Sequence, residues 1–474
     1  MKNRALLLLL SGLLASCTTP PPPAPFGAVP SARQLGWHKL KYYAFLHFGP
    51  NTFTDIEWGH GDESPDEFFP TELDCRQWAR VIKDAGMEGV IITAKHHDGF
   101  CLWPSKYSTH TVRESRWREG KGDVLKDLSE ACREYGLKFG VYLSPWDRNH
   151  PTYGTSEYND VFKSMLKEVL TQYGEVFEVW FDGANGEGPN GKKQVYDFPG
   201  FAEVVRQYQP GAVIFSDGGP DIRWVGNEQG YAAETNWCTV KDGVFYPGIG
   251  GVNDQLQHGH EDGNKWLPTE VNTSIRPGWF YHAAEDSLVK SLHQLAGNWY
   301  HSVGMNGNFL LNIPVDNRGL IHENDAARLM ELKAWGDASF RVDLTKGATA
   351  TSVQVRGHSK KYCAQNAIDG NPETYWATDE GTNTASIEIA FGKETEMNAV
   401  LMQEYIALGQ RVKSFTIEAL LENEYRPVAT GTTVGNRRIV PFETLKTDKL
   451  RIIFNTKACP AVHTIEVYKT VDVE

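Results

Sequence analysis

A short apolar run that ends in a carboxylate is the first feature of the sequence that could do chemistry. The run covers residues 176–184 and places Asp182 directly before Gly183. Apolar residues on both faces are typical of a parallel strand that helices cover on both sides. In an α/β barrel, the C-terminal tip of such a strand lies at the rim where the active site forms. Taken alone, Asp182 is also compatible with a turn cap, since Asp before Gly is a common turn pair.

Polar residues also stand at the ends of other apolar runs along the chain. They are His47, the group His96, His97 and Asp98, then Tyr142, Asp217, Glu234, Glu270 and Asn312. A buried polar group is unfavourable unless it is paired, so a core that served stability alone would not need so many. Their repeated position at strand ends therefore indicates one shared pocket.

Eight apolar runs alternate with helix-like segments between residues 42 and 335. The runs are residues 43–49, 89–97, 138–145, 176–184, 212–217, 231–237, 267–273 and 308–314, of which 231–237 has the weakest pattern. Helices are predicted over residues 74–85, 124–135, 156–173 and 324–335, with Asp74 as an N-cap and Gly136 as a stop signal. This alternation predicts an α/β fold, a (β/α)8 TIM-like barrel over residues 34–343.

The last part of the chain, residues 344–474, has a different texture. It is rich in Thr and Val and contains short runs with period two, such as residues 386–391 and 414–419. Such strands predict an all-β sandwich of the jelly-roll type. Residues 367–378 resemble the discoidin-like F5/8 type C domain, which implies a carbohydrate-binding-module-like role. Trp376 is expected to be a core anchor, and a structural calcium near Asp369 is compatible with this domain.

The N-terminal segment predicts that the protein is exported, and it is not expected to belong to the folded domains. Lys2 and Arg4 precede a short apolar run, and residues 14–17 resemble the lipobox of a bacterial lipoprotein signal. That resemblance implies a signal peptide over residues 1–16, lipidation of Cys17, and membrane contact through the lipid anchor only. Residues 17–33 contain four consecutive prolines and predict a stiff extended tether. The expected location is the bacterial cell envelope, on the periplasmic face of the outer membrane.

Charge and cysteine content exclude some classes of function. The net charge of −13 and the absence of a basic patch argue against a nucleic-acid partner. The six cysteines after Cys17 have no CxxC spacing, so most are expected to be buried free thiols. The sequence leaves open whether Cys363 and Cys459 form a disulfide.

Three chemistries can be compared for the predicted pocket. His96 and His97 are adjacent, so on one strand they would point to opposite faces, and no HxH or HExxH spacing predicts a catalytic metal. A serine nucleophile would need a GxSxG elbow, which is missing from the sequence. Carboxylates, imidazoles and indoles remain, and this is the composition of a glycosidase site.

Glycoside hydrolysis requires two carboxyl groups across the scissile bond. Asp182 is the candidate nucleophile because its strand holds it rigidly. Glu228, on a loop predicted after the fifth strand, is the candidate proton donor, and the neighbouring Trp224 would raise its pKa by desolvation. A solvated loop carboxylate is the alternative reading of Glu228, and Glu234 and Glu270 are competing donors.

Residues 36–340 resemble the α-L-fucosidases of glycoside hydrolase family 29. The resemblance rests on residues 47–49, on Glu57-Trp58, on residues 93–100 followed by Trp103-Pro104-Ser105, and on residues 180–183. It implies that Asp182 is the nucleophile of a retaining mechanism without a cofactor or metal. The substrate-binding residues that it implies or suggests are His47, Glu57, Trp58, His96, His97, Trp103, Tyr142, Trp180, Arg223, Glu270 and Trp279.

Residues 223–228 resemble the corresponding segment of the family branch that acts on α-1,3/4-linked fucose. That resemblance implies that Glu228 is the acid/base. The resemblance thus implies an exo-α-L-fucosidase that hydrolyses terminal fucose from Lewis-type glycans by double displacement. The polar loop 252–266 would then contact a branching galactose or be simply solvated. Two alternatives stay open: a broad-specificity enzyme with Glu270 as acid/base, and a non-catalytic fucose-binding lipoprotein.

Overall fold

A computed structural model describes residues 20–473 of the chain. The predicted signal peptide and the lipidation site Cys17 lie outside the described residues, so export and lipid anchoring stay predictions. Within the described range, no helix combines the length and the apolarity that a membrane crossing requires.

Eight parallel strands form a closed barrel, as the alternating pattern predicts. The strands up to residue 274 are β1 Tyr42–Leu46, β2 Gly89–Lys95, β3 Lys138–Leu143, β4 Glu178–Trp180, β5 Val213–Ser216, β6 Ile222–Trp224, β7 Thr239–Val240, β8 Lys265–Trp266 and β9 Thr269–Ser274, and β10 follows at Gly307–Asn312. The barrel order is β1-β10-β9-β6-β5-β4-β3-β2, while β7 and β8 pair with each other outside it.

Helices surround the barrel. They are α1 Ala32–Lys39, α2 Pro50–Thr54, α3 Cys75–Asp84, α4 Val124–Tyr135, α5 Ser156–Gln172, α6 Phe198–Tyr208, α7 Asn253–His258, α8 Leu292–His301 and α9 Glu323–Phe340. Of these, α1 sends Trp37 into the barrel interior, and α2 lies near the barrel mouth. The Asp74 carboxylate caps α3 by accepting the amides of Arg76 and Gln77, as expected. Gly136 ends α4 at a φ of 65°, a left-handed conformation that favours glycine.

The prediction of the sixth strand was wrong. The strand is Ile222–Trp224, whereas residues 231–237 contain no strand. In the described chain, β5 and β6 are joined by residues 217–221 without a helix between them. The sequence therefore lacks the strand–helix alternation at this point, and the segment after β6 was mistaken for the strand itself.

The barrel interior holds its own layer of large side chains. Tyr43 and Phe45 from β1 lie with Tyr142 from β3 and Trp180 from β4, all of them buried. Successive residues of a strand alternate between the inside and the helix-covered outside. Two residues further toward the C-terminal end, the same faces of β1 and β4 reach His47 and Asp182. The inner layer of large side chains thus lies directly beneath the mouth of the barrel.

The second domain is an antiparallel β-sandwich, as predicted. Its strands are β11 Thr349–Thr351, β12 Trp376–Ala377, β13 Thr384–Glu404, β14 Val412–Leu421, β15 Glu424–Gly431, β16 Arg438–Thr456 and β17 Ala461–Tyr468. The ladder between β13 and β16 shifts register after Ala390 and after Met397, where bulges allow long strands to bend. Trp376 is fully buried in the sandwich core.

The described part of the predicted tether is packed against the sandwich. The Arg356 Nε donates to the Pro21 carbonyl at 2.7 Å, and an Arg411 Nη donates to the Ala24 carbonyl at 2.6 Å. The amide of Phe26 donates to the Leu408 carbonyl at 2.9 Å. The described residues 20–26 therefore lie along the sandwich, and the role of residues 17–33 as a tether stays a prediction.

The six cysteines of the described chain are free thiols. The Cys459 thiol contacts the Arg411 guanidinium at 3.2 Å, and the Cys363 thiol lies 3.6 Å from the Asn366 amide oxygen. Each of the two candidate sulfur atoms is therefore engaged locally, and no bridge joins them.

Candidate active site

A cavity of about 180 Å³ opens at the C-terminal end of the barrel strands. It is lined by Phe45, His47, Glu57, Trp58, His96, His97, Tyr142, Trp180, Asp182, Ala184, Glu228, Asn272 and Trp279. Sites for drug-sized ligands measure roughly 300–1,000 Å³, so this cavity fits one small ring rather than an oligosaccharide. Both predicted catalytic carboxylates and most predicted binding residues meet here.

Asp182 is the second residue after β4, which ends at the inner-layer residue Trp180. Its Oδ1 accepts the amide of Ala184 at 2.8 Å, and its Oδ2 accepts the Tyr142 hydroxyl at 2.9 Å. The side chain of Asp182 keeps 27% of its surface exposed toward the cavity. Two donors thus fix the carboxylate while it remains accessible to a bound sugar.

Three imidazoles form one wall of the cavity. The rings of His96 and His97 lie 4.0 Å apart, and His47 lies 5.7 Å from His96. His96 and His97 were expected to point to opposite faces, which is wrong because β2 already ends at Lys95. Alternation applies only inside a strand, and the turn after β2 aims both rings into the cavity.

All three imidazoles are neutral at ordinary pH. Burial lowers the pKa of His47 to about 3 and that of His97 to about 4, and it lowers the pKa of His96 well below the usual value. The Nδ1 of His47 bonds the Asn312 amide oxygen at 2.8 Å, and the Nδ1 of His97 bonds the Ser144 hydroxyl at 2.7 Å. In a neutral ring with Nδ1 as the donor, Nε2 is left as an acceptor for a sugar hydroxyl.

Glu57 organises the part of the cavity wall formed by the loop after β9, which adjoins the imidazoles. Its carboxylate accepts the amide of Trp279 at 2.9 Å and that of Phe280 at 3.2 Å, and it bonds the His282 Nε2 at 2.7 Å. The indole Nε1 of Trp279 in turn donates to Glu228 Oε2 at 3.2 Å. Glu57 therefore holds the loop after β9 in the position from which Trp279 contacts Glu228.

Glu228 reaches the cavity from the long connection between β6 and β9. Partial burial raises the pKa of Glu228, the Trp279 hydrogen bond opposes this rise, and the negative charges of Asp182 and Glu57 add to it. The indole beside Glu228 is Trp279 rather than the predicted Trp224, whose Nε1 donates to Asn272 at 2.9 Å. A carboxyl group with a raised pKa next to an ionised one is the arrangement that acid catalysis requires.

Trp103 is not part of the cavity, although it was predicted to bind substrate. It is 1% exposed, and its Nε1 donates to the Glu168 carboxylate on α5 at 3.0 Å. The Ser105 hydroxyl donates to the same carboxylate at 2.8 Å. The Trp103-Pro104-Ser105 motif therefore anchors the loop after β2 to α5.

Arg223 is also misplaced by the sequence prediction. It lies on β6 rather than on a loop, and it is completely buried. Its guanidinium donates to the carbonyls of Leu256 at 2.7 Å and Trp237 at 3.0 Å, and to that of Leu267. Arg223 thus contacts no part of the cavity and instead ties down the long connection that includes Glu228.

Glu270 is the third correction. The strand β9 continues to Ser274, so Glu270 is its second residue rather than its end. It is completely buried beneath the cavity, where its carboxylate accepts the Trp180 Nε1 at 2.8 Å. A group in this position cannot reach a leaving-group oxygen, which removes Glu270 as an acid/base and as a direct ligand.

Three cavity residues were missed: Phe45, Ala184 and Asn272. Phe45 precedes His47 by two residues and Asn272 follows Glu270 by two, so strand alternation could have identified both once the strand bounds were known. Ala184 contributes through its position after Asp182, for which the sequence offers no signal.

The remaining strand-end residues lie outside the cavity. Glu234 pairs with Arg438 of the sandwich at 3.3 Å and is 60% exposed. Burial and the nearby Asp182 raise the pKa of Asp217 to about 7, and burial raises that of Asp98 to about 7. Asn312 bonds His47 and donates to the Trp279 carbonyl at 2.8 Å, so it supports the wall.

No grouping of three or more metal-ligating side chains occurs within residues 20–473. The carboxylate of Asp369, near which a calcium was considered, accepts the amide of Asn371 and the hydroxyl of Thr374, both at 2.7 Å. Its oxygens are engaged by their own loop, so Asp369 does not present a ready cation site.

Comparison with known families identifies both domains. The α-L-fucosidase family model matches residues 31–339, and the F5/8 type C domain model matches residues 347–466. The chain belongs to the α-L-fucosidase family. It is a glycoside hydrolase of glycoside hydrolase family 29, an α-L-fucosidase with a discoidin-like sandwich behind its barrel.

Related proteins of this family are found in plants and bacteria. α-L-Fucosidase 1 of Arabidopsis thaliana is 43% identical over 427 residues, which cover 88% of this chain and 82% of the relative. A putative α-L-fucosidase from Bacteroides thetaiotaomicron is 38% identical with a TM-score of 0.89, covering 96% of this chain and 100% of that one. A Ruminococcus gnavus family 29 fucosidase in complex with fucose is 32% identical, with a TM-score of 0.89 and coverage of 96% and 97%.

The neutral imidazoles make the stability of this fucosidase depend on pH. His47 binds a proton in the unfolded chain below about pH 6.5, but in the folded barrel only near pH 3. The contribution of a neutral imidazole to stability is complete above the pKa of the unfolded chain. It is lost as the pH falls toward the pKa of the folded barrel, at about 1.4 kcal/mol per pH unit for each such group.

We therefore expect His47→Asn to flatten the slope of the unfolding free energy between pH 6 and 4.5 by about that amount. Urea unfolding at several pH values measures the slope. His38→Asn is the matched control: His38 lies outside the cavity, and burial lowers its pKa to about 3 as well. It should flatten the slope equally, and an unchanged slope in both variants would contradict neutral imidazoles.

Proposed function

We propose that this α-L-fucosidase is a retaining exo-enzyme that removes terminal α-1,3/4-linked fucose from Lewis-type glycans, with Asp182 as nucleophile and Glu228 as acid/base. One observation is the main support. Two carboxyl groups in contrasting electrostatic settings line one cavity of about 180 Å³. A pocket of that size accepts a single terminal sugar and leaves the rest of the glycan outside, as an exo-enzyme requires.

The first step of the proposed reaction is attack by an Asp182 oxygen on the anomeric carbon of fucose. The Tyr142 hydroxyl and the Ala184 amide hold the carboxylate, so little reorganisation is needed during attack. The neutral imidazoles of His47, His96 and His97 accept hydrogen bonds from the sugar hydroxyls or donate hydrogen bonds to them. The indole and phenyl faces of the cavity suit the apolar C5 methyl group.

Glu228 acts in both displacements: as Asp182 attacks, Glu228 protonates the glycosidic oxygen, so the C1–O bond breaks and the rest of the glycan leaves as an alcohol. Its raised pKa keeps a proton available for the leaving-group oxygen, and after that transfer the carboxylate can activate a water molecule. Water attacks the glycosyl–Asp182 ester, so the configuration is inverted twice and retained overall. Because the acid must be protonated at the start, activity should fall as the pH rises through the pKa of Glu228.

The branch preference rests on the sequence segment 223–228 and on the position of Glu228. The broad-specificity alternative loses its candidate donor, since Glu270 is completely buried. The polar loop 252–266 does not support a galactose contact. The loop contacts the sandwich instead, since the Glu261 carboxylate pairs with the Lys413 ammonium at 3.1 Å.

Replacing Asp182 by Ala should lower turnover by about four orders of magnitude, because the covalent intermediate can no longer form. Azide should restore part of the rate and yield a β-fucosyl azide, since the small anion occupies the vacated position. Kinetics with an aryl α-L-fucoside and product analysis measure both effects. Asp217→Asn is the matched control, a neighbouring carboxyl outside the cavity that should keep nearly all turnover. Persistent activity in Asp182→Ala would refute the assignment.

Replacing Glu228 by Ala should separate substrates by the quality of their leaving groups. A Lewis trisaccharide needs protonation of its leaving oxygen, so its hydrolysis should slow by about 10²–10⁴-fold. Formation of the glycosyl-enzyme from a fucoside with a strongly acidic phenol should change little. Glu234→Ala, at the domain junction, should behave like the unaltered enzyme. An equal loss on both substrates would exclude Glu228 as the acid.

Incubation with a Lewis trisaccharide and with its unbranched 1,2-fucosylated counterpart tests the linkage preference. Fucose release from the branched sugar should be faster by at least about tenfold, a typical effect of one additional contact region. Sugar analysis over time gives the two rates. Equal rates would indicate broad specificity. Binding of fucose without release from either sugar would favour the non-catalytic lipoprotein.

A further inference from the structure

A chain of buried polar side chains runs through the barrel beneath the sugar pocket. The indole Nε1 of Trp37 lies 3.0 Å from the Tyr43 hydroxyl and 3.1 Å from Glu178 Oε2. The Tyr43 hydroxyl donates to Glu270 Oε2, and the Trp180 Nε1 donates to Glu270 Oε1 at 2.8 Å. Glu270 is therefore the point at which the deep network meets the floor of the cavity.

The floor is connected to the nucleophile by stacking. The Trp180 indole lies parallel to the Phe215 ring at 3.9 Å, and it stacks on Tyr142 at a centroid distance of 5.3 Å. The Tyr142 hydroxyl donates to Asp182 Oδ2. A rotation of the indole would therefore disturb Tyr142, and through it the orientation of the attacking carboxylate.

Glu178 and Glu270 form an unusual pair of carboxyl groups. Both are completely buried; Glu178 Oε2 accepts the Trp37 indole, and Glu178 Oε1 has no hydrogen-bond partner among the described residues. No Lys or Arg within the described residues forms a salt bridge with either group. Burial and the Glu270 carboxylate raise the pKa of Glu178 well above its usual value, while Trp180 and Tyr43 donate to Glu270. Burial raises the pKa of Glu270 as well, but its two donors, Tyr43 and Trp180, favour its ionised form.

We propose that Glu270 is a positioning residue, whose carboxylate fixes the Trp180 indole as the floor of the fucose pocket and thereby aligns Tyr142 and Asp182. A charged acceptor forms the stronger kind of hydrogen bond. In a site without solvent, any other indole orientation would leave the Trp180 Nε1 donor without a partner and remove one of the two donors to Glu270. This inference rests on the proposed role of Asp182, whereas it is independent of the linkage preference.

Four variants test the proposal. Glu270→Leu removes the acceptor, Glu270→Gln keeps an amide oxygen at the same place, Trp180→Phe removes the donor, and Glu270→Leu/Trp180→Phe removes both. Each is measured for kcat and KM with an aryl α-L-fucoside, for inhibition by free fucose, and for melting temperature. The unaltered enzyme is the reference, and Asp182→Ala with azide rescue tests the nucleophile separately.

Glu270→Leu should lower kcat/KM by at least about tenfold and weaken fucose inhibition, because the orphaned indole leaves its position. Glu270→Gln should stay within about threefold of the unaltered enzyme, since its amide oxygen still accepts from Trp180. The double variant should be no worse than the poorer single variant, because both changes break the same contact. This pattern, together with a melting temperature that does not follow activity, would support the proposal.

Additive losses in the double variant would overturn it, as would a Glu270→Leu enzyme with nearly unchanged kcat/KM. If Glu270→Leu does not fold, Tyr43→Phe replaces it, since it removes the other donor to the same carboxylate. Coupling between Tyr43→Phe and Trp180→Phe then supports the proposal, and additivity overturns it. If Asp182→Ala stays active, the proposed function fails whatever the Glu270 variants do.

Discussion

The hydrogen bond from the Tyr142 hydroxyl to the Asp182 carboxylate depends on one feature of the barrel, the register between β3 and β4. In that register Tyr142 stands opposite Trp180. Because inward side chains recur every second residue, Asp182 then lies one layer above Trp180 at the rim. A slip by one residue would turn Trp180 outward and Phe181 inward. The floor of the pocket and the nucleophile are thus set by one pairing between two short strands.

The cavity wall shows how burial can prepare a site for hydrogen bonding. Its imidazoles are kept neutral by the lack of solvent, so they add hydrogen-bonding capacity without adding positive charge. The carboxyl groups at the mouth differ in their surroundings: Asp182 receives two donors, whereas Glu228 receives one and is partly desolvated. This difference separates the two carboxyl groups into one suited to attack and one suited to holding a proton.

Much of this arrangement could be read from the sequence. Asp182 and Tyr142 were identified because they end strong apolar runs, where strand position and side-chain direction follow from the pattern. Glu270 and Arg223 were misplaced because the bounds of β9 and β6 are not evident from local composition, and a shift of a few residues moves a side chain from the rim to the interior. His96 and His97 were misjudged for the same reason at the end of β2. Trp103 belongs to a recognisable motif, but a motif does not reveal that its indole turns toward Glu168.

The long connection between β6 and β9 has two attachments. Near its start it brings Glu228 to the cavity, and a few residues later its Glu234 side chain and Cys238 amide bond Arg438 and Gln410 of the sandwich. Arg223 of β6 bonds the carbonyls of Leu256 and Trp237 and so holds this connection to the barrel. The C-terminal domain is consequently not structurally independent of the barrel. Replacing the sandwich would remove the partners of Glu234 and Cys238, and with them part of the support of the connection that carries Glu228.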